Sequence, residues 1–565
     1  MFRRKKFIKR LDIDPDEVLL DAFNLPAFDT DQFEGRVEKS IHGIVPGAVG
    51  LLVFLIFAIF LGQTWNLQIK RGEALALLSQ KNRLDHEILF AERGVIYDRY
   101  KNELAWNIPN EGEDMYSLRQ YLSVDGIGHV LGFVGYPEKD RDGFWWRSEY
   151  IGKAGIENSL NEILSGTNGV RLIEVDALNN IQSENTIRAP IDGRNVTLTI
   201  DTAMQEALFE SIKNGARSAG FIGGAGIVMD VETGEILALT SYPEYSSQIM
   251  SDGSDEEEIS GYFSDYRNPF LNRVVLGEYT PGSIVKPYVA AAALAEKLVS
   301  PSTSFLSTGE IRIPNPYSPG NDSVFRDWKA HGWVNVREAL SVSSNVYFYT
   351  VGGGFKDQKG LGIEKLAAYA ARFGLGVQTG IEFSGEASGV VPTPAWKRQV
   401  FGEDNPWRLG NTYHTSIGQF GFLITPVQAV RYIASISNGG VLLSPHIIKG
   451  AQVNSSPVGV DDQYLKIVRE GMRQSAETGV ASSVNVPGIR MAGKTGTAQL
   501  GKSNQYMNSW VIGFWPADDP QFAYAVVLER AAAGTLQGAA PAMRSFFEWL
   551  VEYNPEYTNG NYPVE

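Results

Sequence analysis

A serine and a lysine stand three residues apart at the start of an apolar stretch, as Ser283 and Lys286 in "TPGSIVKPYVAAAALAEK". Alanine and leucine favour a helix here, and Pro287 must lie in its first turn, so we expect the helix to begin near Gly282 or Ser283. The serine and the lysine would then share one face. Burial in so apolar a helix would favour the neutral form of the lysine, which makes it a general base beside a nucleophile.

A Ser-x-x-Lys spacing alone is weak evidence, because ordinary residue usage produces about one or two such matches in a chain of this length. Two further stretches strengthen it. Ser343 and Asn345 follow the amphipathic segment "NVREAL", which places a hydroxyl and an amide at the end of a helix, where buried polar groups need partners. The stretch "AGKTGTAQ" is typical of a strand, and Gly493 and Gly496 allow another part of the chain to approach its backbone closely.

The three stretches together, Ser-x-x-Lys, Ser-x-Asn and Lys-Thr-Gly in this order, resemble the signature of penicillin-binding proteins and serine β-lactamases. The resemblance implies acyl transfer from a D-alanyl-D-alanine stem peptide, with Ser283 attacking the penultimate carbonyl and Lys286 taking its proton. Ser343 and Lys494 would relay that proton to the departing D-alanine. Asn345 would hold both the amide groups of the peptide and Lys286.

The same resemblance implies how the substrate is held. Lys494 and Thr495 suit a terminal carboxylate, which needs a cation and a hydroxyl donor. Gly496 and Thr497 continue this substrate-binding strand, and the backbone N–H groups of Ser283 and Thr497 would form the oxyanion hole. We expect no cofactor for this chemistry.

Composition bounds the functions that the chain can have. The formal net charge over 565 residues is −15, and the one basic run lies within the first ten residues, with no later basic run interleaved with aromatic residues. We therefore expect no nucleic-acid partner. There are no cysteines, which excludes disulfides and thiolate metal sites.

Residues 44–61, "IVPGAVGLLVFLIFAIFL", carry no charge, and at about 1.5 Å per residue such a helix spans roughly 27 Å, close to the thickness of a bilayer core. We predict one uncleaved transmembrane anchor over residues 44–62, because the basic cluster lies far upstream and no small-x-small cleavage site follows. Lysine and arginine in the short preceding tail favour a cytoplasmic N-terminus. Residues 1–43 would then be a cytoplasmic tail, and the chain after the anchor would be extracytoplasmic.

After the anchor, the sequence predicts a helix over residues 66–90, a non-catalytic pedestal over 63–194, a transpeptidase domain over 195–552 and a C-terminal tail over 553–565. A strand followed by a capped helix, two hairpins and a last helix indicate an α+β domain whose antiparallel sheet draws strands from both of its ends. This agrees with the β-lactamase/transpeptidase-like fold that the resemblance implies, with the sheet packed between helices.

Further stretches, among them "ERGVIYDR", "HVLGFVG", "GKAGIE", "HGWVNVREAL" and "GEASGVVP", resemble the elongation-specific class B branch of the penicillin-binding proteins. This implies a single-pass protein of the bacterial cytoplasmic membrane that cross-links stem peptides during cell elongation. The implied partners are peptidoglycan stem peptides, β-lactams, a SEDS-type glycan polymerase and elongation scaffold proteins. The pedestal head through which family members contact such partners is short here, covering residues 108–128.

Two other departures from the family pattern lie at the site. Some members bind zinc beside the Ser-x-Asn motif through aspartates, a histidine and a cysteine. Asp327 and His331 match these positions, but Ser344 stands where the cysteine would be. We therefore expect no metal, and we expect His331 to be a hydrogen-bonding loop residue. Phe420 interrupts "IGQFGF" where glycine is common, and it either narrows the groove or packs against neighbours.

Three alternatives to an elongation transpeptidase remain open. The septal paralogue shares both fold and chemistry. A D,D-carboxypeptidase or β-lactam-binding hydrolase would transfer the acyl group to water, although the Glu-x-x-x-Asn pattern that positions deacylating water in class A β-lactamases is absent between residues 346 and 493. A non-catalytic scaffold would not need the intact serines and lysines of the three motifs, and a sensor would need a larger inward domain than residues 1–43.

Overall fold

The computed structural model describes residues 44–73, 75, 84–112, 115–175, 181–315 and 320–558. The chain divides into two compact units, which comprise Met1–His86 with Leu172–Asn185, and Glu87–Arg171 with Thr186–Glu565. The predicted cytoplasmic tail over residues 1–43 lies outside the described residues, as do residues 559–565 of the predicted C-terminal tail.

The first unit contains one long apolar helix. Helix α1 spans Ile44–Trp65 with exposed side chains and continues into a π-helical turn at Asn66–Lys70. Among the described residues, this is the one helix that is long and apolar enough to cross a membrane. The helix predicted over residues 66–90 is wrong for Leu84–Leu89, which form strand β1, while residues 74 and 76–83 are not described.

Short elements fill the region that follows β1. They are β2 Ile96–Tyr97, β3 Glu103–Ile108, β4 Leu118–Tyr121, α2 Gly128–Leu131, β5 Val134–Gly135, β6 Glu138–Lys139, β7 Trp145–Arg147, β8 Ile151–Gly152, α3 Gly155–Ser159, α4 Asn161–Leu164, β9 Gly169–Val175, β10 Ile181–Arg188 and β11 Val196–Thr197. Two sheets have the orders β1-β9-β10 and β11-β2-β3-β4. Within the second unit, the buried Glu157 carboxylate accepts hydrogen bonds from Arg93 Nε at 2.6 Å and Arg119 Nε at 2.8 Å. Removing one partner would leave an uncompensated buried charge, so these three side chains hold the region together.

The second unit is organised by a five-stranded antiparallel sheet of order β13-β12-β22-β21-β20. Its strands are β12 Gly223–Asp230, β13 Ile236–Tyr242, β20 Ala492–Leu500, β21 Tyr506–Trp515 and β22 Phe522–Ala532. Both predicted hairpins are confirmed. Strands from the two ends of the domain meet where β12 pairs with β22, with Ile227 opposite Ala525. Strand β20, which carries the Lys-Thr-Gly motif, lies at the edge.

The remaining elements surround this sheet. The helices are α5 Thr202–Ala219, α6 Ser247–Asp252, α7 Glu256–Ser264, α8 Lys286–Ala295, α9 Val336–Ser341, α10 Asn345–Gly353, α11 Gly362–Arg372, α12 Pro394–Phe401, α13 Leu409–Ser416, α14 Pro426–Ser437, α15 Asp462–Glu477 and α16 Ala539–Tyr553. Short strand pairs are β14 Phe305–Ser307 with β17 Gly332–Val334, β15 Glu310–Ile313 with β16 Ser323–Arg326, and β18 Val441–Leu443 with β19 Ser455–Pro457.

The core lies on both faces of the five-stranded sheet, because neighbouring strand residues point to opposite sides. On one face, Val228 and Val526 pack with apolar side chains of α5 and α16. On the other face, Ile227 and Val527 join the cluster that contains α8 and α14. The predicted arrangement of an antiparallel sheet between helices is therefore confirmed.

The end of the described chain packs beside the start of helix α5 and against Tyr100. Residues Pro555–Thr558 form a 3₁₀ turn, and Tyr557 is fully buried. Its hydroxyl donates to Asp201 Oδ2 at 2.7 Å and lies 2.8 Å from the hydroxyl of Tyr100. Since Asp201 also caps helix α5 by accepting from Met204 N, Tyr557 links the chain end to the start of the domain.

Candidate active site

The first motif begins in a 3₁₀ turn, Gly282–Val285, that leads directly into helix α8. The predicted helix start near Gly282 or Ser283 is confirmed, although its first turn is tighter than an α-helix. Gly282 has φ 57°, and its N–H donates to the Gly418 carbonyl at 2.9 Å. A Cβ on Gly282 would lie 2.6 Å from the Thr497 carbonyl oxygen. Only glycine can therefore bring this turn so close to strand β20, where it presents Ser283 to a cavity.

The ammonium end of Lys286 is fully buried and contacts the second motif. Nζ lies 2.7 Å from Asn345 Oδ1, 2.8 Å from the Ser343 carbonyl oxygen and 3.2 Å from Ser343 Oγ. Burial lowers the pKa of Lys286 to about 7, against the opposing effect of the Asp327 charge. Both forms of the lysine are then populated near neutral pH. Within the described residues, the hydrogen bonds of Lys286 run to Ser343 and Asn345, and none joins it to Ser283.

The second motif places Ser343 between helices α9 and α10, in the left-handed region at φ 57°. Non-glycine residues rarely adopt this conformation, and such strain persists only where neighbours enforce it. Its hydroxyl also receives a hydrogen bond from Lys494 Nζ at 2.8 Å. When both lysines are charged, their N–H groups occupy the lone pairs of this oxygen and the Ser343 O–H can donate towards the cavity. When Lys286 is neutral, its nitrogen can instead accept the Ser343 proton.

The third motif lies on the edge strand β20, where Thr495 is opposite Val511 and Thr497 opposite Ser509. Lys494 is fully buried, and its pKa is lowered well below the ordinary value, first by burial and then by the charge of Lys286. A Cβ on Gly496 would lie 2.6 Å from the Pro281 carbonyl oxygen. The predicted close approach at this glycine is therefore confirmed, and the approaching segment is the turn that carries the first motif.

One cavity of about 940 Å³ brings the three motifs together, and its lining includes Ser283, Ser343, Asn345, Thr495 and Thr497. The two lysines lie buried behind this wall. A hydroxyl that two lysines contact, beside a second hydroxyl on a helix start, is an arrangement that can move a proton between a nucleophile and a leaving group.

Several residues of the cavity wall belong to none of the three motifs. Arg326, Trp328, Tyr349, His414 and Gln419 line the cavity. They come from a strand end, loops and helices that are distant in sequence, and no local pattern marks them, because their proximity depends on the tertiary fold. His414 is largely buried, and burial lowers its pKa.

Phe420 packs against neighbours, as one of the two alternatives predicted for it, and it also lines the cavity. It lies at φ 61°, with ring centroids 5.6 Å from Trp407, 6.0 Å from Trp396 and 6.3 Å from Phe401. Lys397 Nζ lies 5.6 Å from the Phe420 ring centroid. An aromatic cluster thus fixes one wall of the cavity.

The residues beside the second motif do not fit a zinc ion, which takes four thiolate, imidazole or carboxylate donors at a structural site. Asp327 Oδ1 faces His331 Nε2 at 3.6 Å, both side chains being buried. Asp327 Oδ2 already accepts three hydrogen bonds, one of them from the Ser344 hydroxyl that stands in place of a thiolate. No group of three or more potential metal ligands of the His, Cys, Asp and Glu types occurs in the described part of the chain.

His331 itself only partly matches the predicted hydrogen-bonding role. Its backbone N–H donates to the Ser307 carbonyl at 3.0 Å, and its ring packs edge-on against Trp328 at 4.9 Å. Its Nε2 is buried and has no hydrogen-bond partner among the described residues.

Comparison with known families identifies the family to which this fold belongs. The family model of the penicillin binding protein transpeptidase domain matches residues 224–548, and that of the penicillin-binding protein dimerisation domain matches residues 114–198. The chain therefore belongs to the penicillin-binding protein transpeptidases.

Individual relatives agree with this assignment. The peptidoglycan D,D-transpeptidase MrdA of Acinetobacter baumannii is 31% identical over 80% of this chain and 68% of its own length. A Helicobacter pylori penicillin-binding protein (PBP2), solved in complex with MreC, is 26% identical with a TM-score of 0.69, covering 83% of this chain and 99% of that one. A chain from a structure described as the structural coordination of polymerization and crosslinking by a peptidoglycan synthase complex is 27% identical with a TM-score of 0.69. It covers 92% of this chain and 99% of its own.

Proposed function

We propose that the chain is a peptidoglycan D,D-transpeptidase that works through an acyl-enzyme on Ser283. The observation that carries this proposal is the shared hydroxyl of Ser343, which Lys286 and Lys494 both contact at the back of the cavity that Ser283 lines. A non-catalytic binding function would not account for two buried lysines around one hydroxyl, and the lifetime of the acyl-enzyme separates a transpeptidase from a hydrolase that has the same groups.

The acylation step begins when Ser283 Oγ attacks the carbonyl carbon of the penultimate D-alanine in a stem peptide. The Ser283 proton passes to neutral Lys286 through Ser343, and the C–N bond to the terminal D-alanine breaks. The departing nitrogen takes a proton from Ser343, which Lys494 or Lys286 replaces, so D-alanine leaves as a neutral amine. Asn345, hydrogen-bonded to Lys286, holds the amide groups of the peptide.

The second step transfers the acyl group. An amine of a neighbouring stem peptide attacks the Ser283 ester and forms the new amide. Its surplus proton returns through the same groups to Ser283 Oγ, which leaves as the restored hydroxyl. Both steps pass through an oxyanion, for which the backbone N–H groups of Ser283 and Thr497 are the proposed donors.

The substrate would bind along strand β20. This strand ends the sheet, so an extended peptide could pair along its outer edge. Thr495 is half-buried and Thr497 is exposed beside Ser283, which suits a terminal carboxylate at their hydroxyls, with Gly496 lying between them. A β-lactam, as an analogue of the D-alanyl-D-alanine end, would acylate the same serine.

The cellular setting is part of the proposal. Helix α1 would anchor the protein in the bacterial cytoplasmic membrane, with the N-terminus cytoplasmic and the transpeptidase domain outside. A role in cell elongation is supported by the likeness to MrdA. The complexes of the similar chains support a scaffold protein of the MreC kind and a partner that polymerises peptidoglycan, for which we propose a SEDS-type glycan polymerase.

The test is mass spectrometry of the full-length chain in detergent after incubation with penicillin, with the adduct mapped and its loss timed. We expect a stable adduct on Ser283, and no adduct on a Ser283→Ala variant that has an unchanged unfolding temperature. An adduct elsewhere would remove Ser283 as the nucleophile. Rapid loss of a Ser283 adduct would instead indicate a carboxypeptidase or β-lactam hydrolase.

A further inference from the structure

A buried carboxylate outside the three motifs contacts the second of them. Asp327 follows strand β16, and its side chain is fully buried. Its Oδ2 accepts hydrogen bonds from Ser344 Oγ at 2.8 Å, Val346 N at 3.0 Å and Ser307 Oγ at 3.2 Å. Its Oδ1 accepts from Trp328 N at 2.9 Å. Four donors from three segments of the chain thus converge on one carboxylate.

Two of these donors lie at the start of helix α10. Ser344 is its N-cap residue and also accepts from Tyr347 N at 3.4 Å, while Val346 lies in its first turn. A negative charge is favourable at a helix N-terminus, where backbone N–H groups lack helical partners. Asn345 lies between these two bonded residues, so the Asp327 contacts fix it from both sides.

The same contacts bear on Ser343, which directly precedes the cap residue. Its left-handed conformation, at φ 57°, must be held by neighbours. Lys286 holds one side by donating to the Ser343 carbonyl at 2.8 Å. Asp327 holds the other side of Ser343 by accepting the hydrogen bond of the adjacent Ser344 hydroxyl. A small displacement of Ser344 would therefore move the hydroxyl that both lysines contact.

We propose that Asp327 is a positioning residue for acyl transfer. Through Ser307, Ser344 and Val346 it holds Ser343 Oγ and Asn345 in the geometry that proton transfer requires. The groups that bind the Asp327 carboxylate are hydroxyl and backbone N–H donors, a set that does not fit a metal ion. The inference rests on the proposed function, because the step that it supports is acylation of Ser283.

The test uses serine variants, since they leave every charge in place. Acylation of the full-length chain by a fluorescent penicillin is followed by stopped flow, which separates the binding constant K from the acylation rate constant k2. We expect Ser344→Ala to lower k2 about tenfold, the effect of one hydrogen bond to a charged group, with K changing less than threefold. Ser307→Ala should act in the same direction. Ser435→Ala, which removes another fully buried serine hydroxyl that donates only within helix α14, should leave k2 within twofold.

A double-mutant cycle separates positioning from general destabilisation. In an Asp327→Asn background, Ser344→Ala should lower k2 by less than a further twofold, because residues in one network are not additive. The proposal is overturned if Ser344→Ala leaves k2 unchanged, if it lowers k2 equally in both backgrounds, or if it lowers only the fraction of protein that labels. If the variants give one of these results while the wild-type protein acylates normally on Ser283, only this inference is overturned. Wild-type protein that does not acylate on Ser283 would overturn the proposed function as well.

Discussion

Lys286 and Lys494 contact the same hydroxyl oxygen, that of Ser343, at 3.2 Å and 2.8 Å. Both lysines are fully buried, and two positive charges around one oxygen repel each other strongly in a poorly solvated site. Burial lowers the pKa of each, and the charge of Lys286 lowers that of Lys494 further. Lys286, with its pKa near 7, therefore exchanges protons near neutral pH, which an ordinary lysine does not.

This relationship predicts the pH dependence of acylation. Lys286, with a pKa lowered to about 7, must be neutral to accept the Ser283 proton. The second-order rate constant for penicillin acylation should therefore rise about tenfold per pH unit below pH 7 and level off above it. Stopped-flow measurements between pH 5 and 9, with circular dichroism to confirm folding at each pH, would show this. A flat profile would exclude Lys286 as the base.

A second prediction concerns the contact between strand β20 and the turn of the first motif. Gly496→Ala would place a Cβ 2.6 Å from the Pro281 carbonyl oxygen and 2.9 Å from Ile284 Cγ2, so one of the two segments must move. We expect acylation to slow at least tenfold, as measured by fluorescent penicillin labelling. Gly261→Ala, at an exposed helical glycine with no atom within 4 Å of the added Cβ, is the matched control. Equal rates in both variants would contradict the close contact.

The chain end offers a third prediction, on stability. Tyr557→Phe removes a buried hydroxyl that contacts Asp201 and Tyr100, and leaves the Asp201 carboxylate with one donor fewer. The free energy of unfolding should fall by about 1–3 kcal/mol. Urea unfolding followed by tryptophan fluorescence would measure it, with Tyr553→Phe on the exposed side of α16 as the control. A loss no larger than that of the control would show that the Tyr557 hydroxyl contributes nothing.

The fourth prediction concerns metals. Because Asp327 Oδ2 already accepts three hydrogen bonds and Ser344 supplies no thiolate, treatment with a chelator should leave the acylation rate within twofold of the untreated protein. Elemental analysis of the purified protein should find less than stoichiometric zinc. Stoichiometric zinc together with a chelator-sensitive rate would show that these side chains rearrange to bind it.

Local sequence determined much of this site. The start of the first helix followed from Pro287 and the alanine run, and Gly496 was identified as a point of close approach. The sheet with strands from both ends of the domain was also predictable, because each hairpin has its own turn and alternation pattern.

The features that the sequence did not predict depend on contacts between residues that are distant in sequence. Residues Leu84–Leu89 have a composition that suits a helix, yet they pair as a strand with β9, so tertiary pairing overrides propensity. The acceptors of Lys286 were predicted only in part, because the positions of Ser343 and Asn345 depend on Asp327, which belongs to a separate loop. No periodic pattern in the sequence predicts that these side chains lie close together.

The glycine contact at the first motif has an evolutionary consequence. Gly282 lies against both Gly418 and Thr497, and a side chain at either glycine would collide with backbone atoms that cannot retreat. Under selection by an antibiotic, substitutions at these positions would cost the organism the enzyme itself. Heritable drug tolerance should instead accumulate in the ring cluster around Phe420 on the cavity wall, where one aromatic side chain can be exchanged for another while the nucleophile keeps its place.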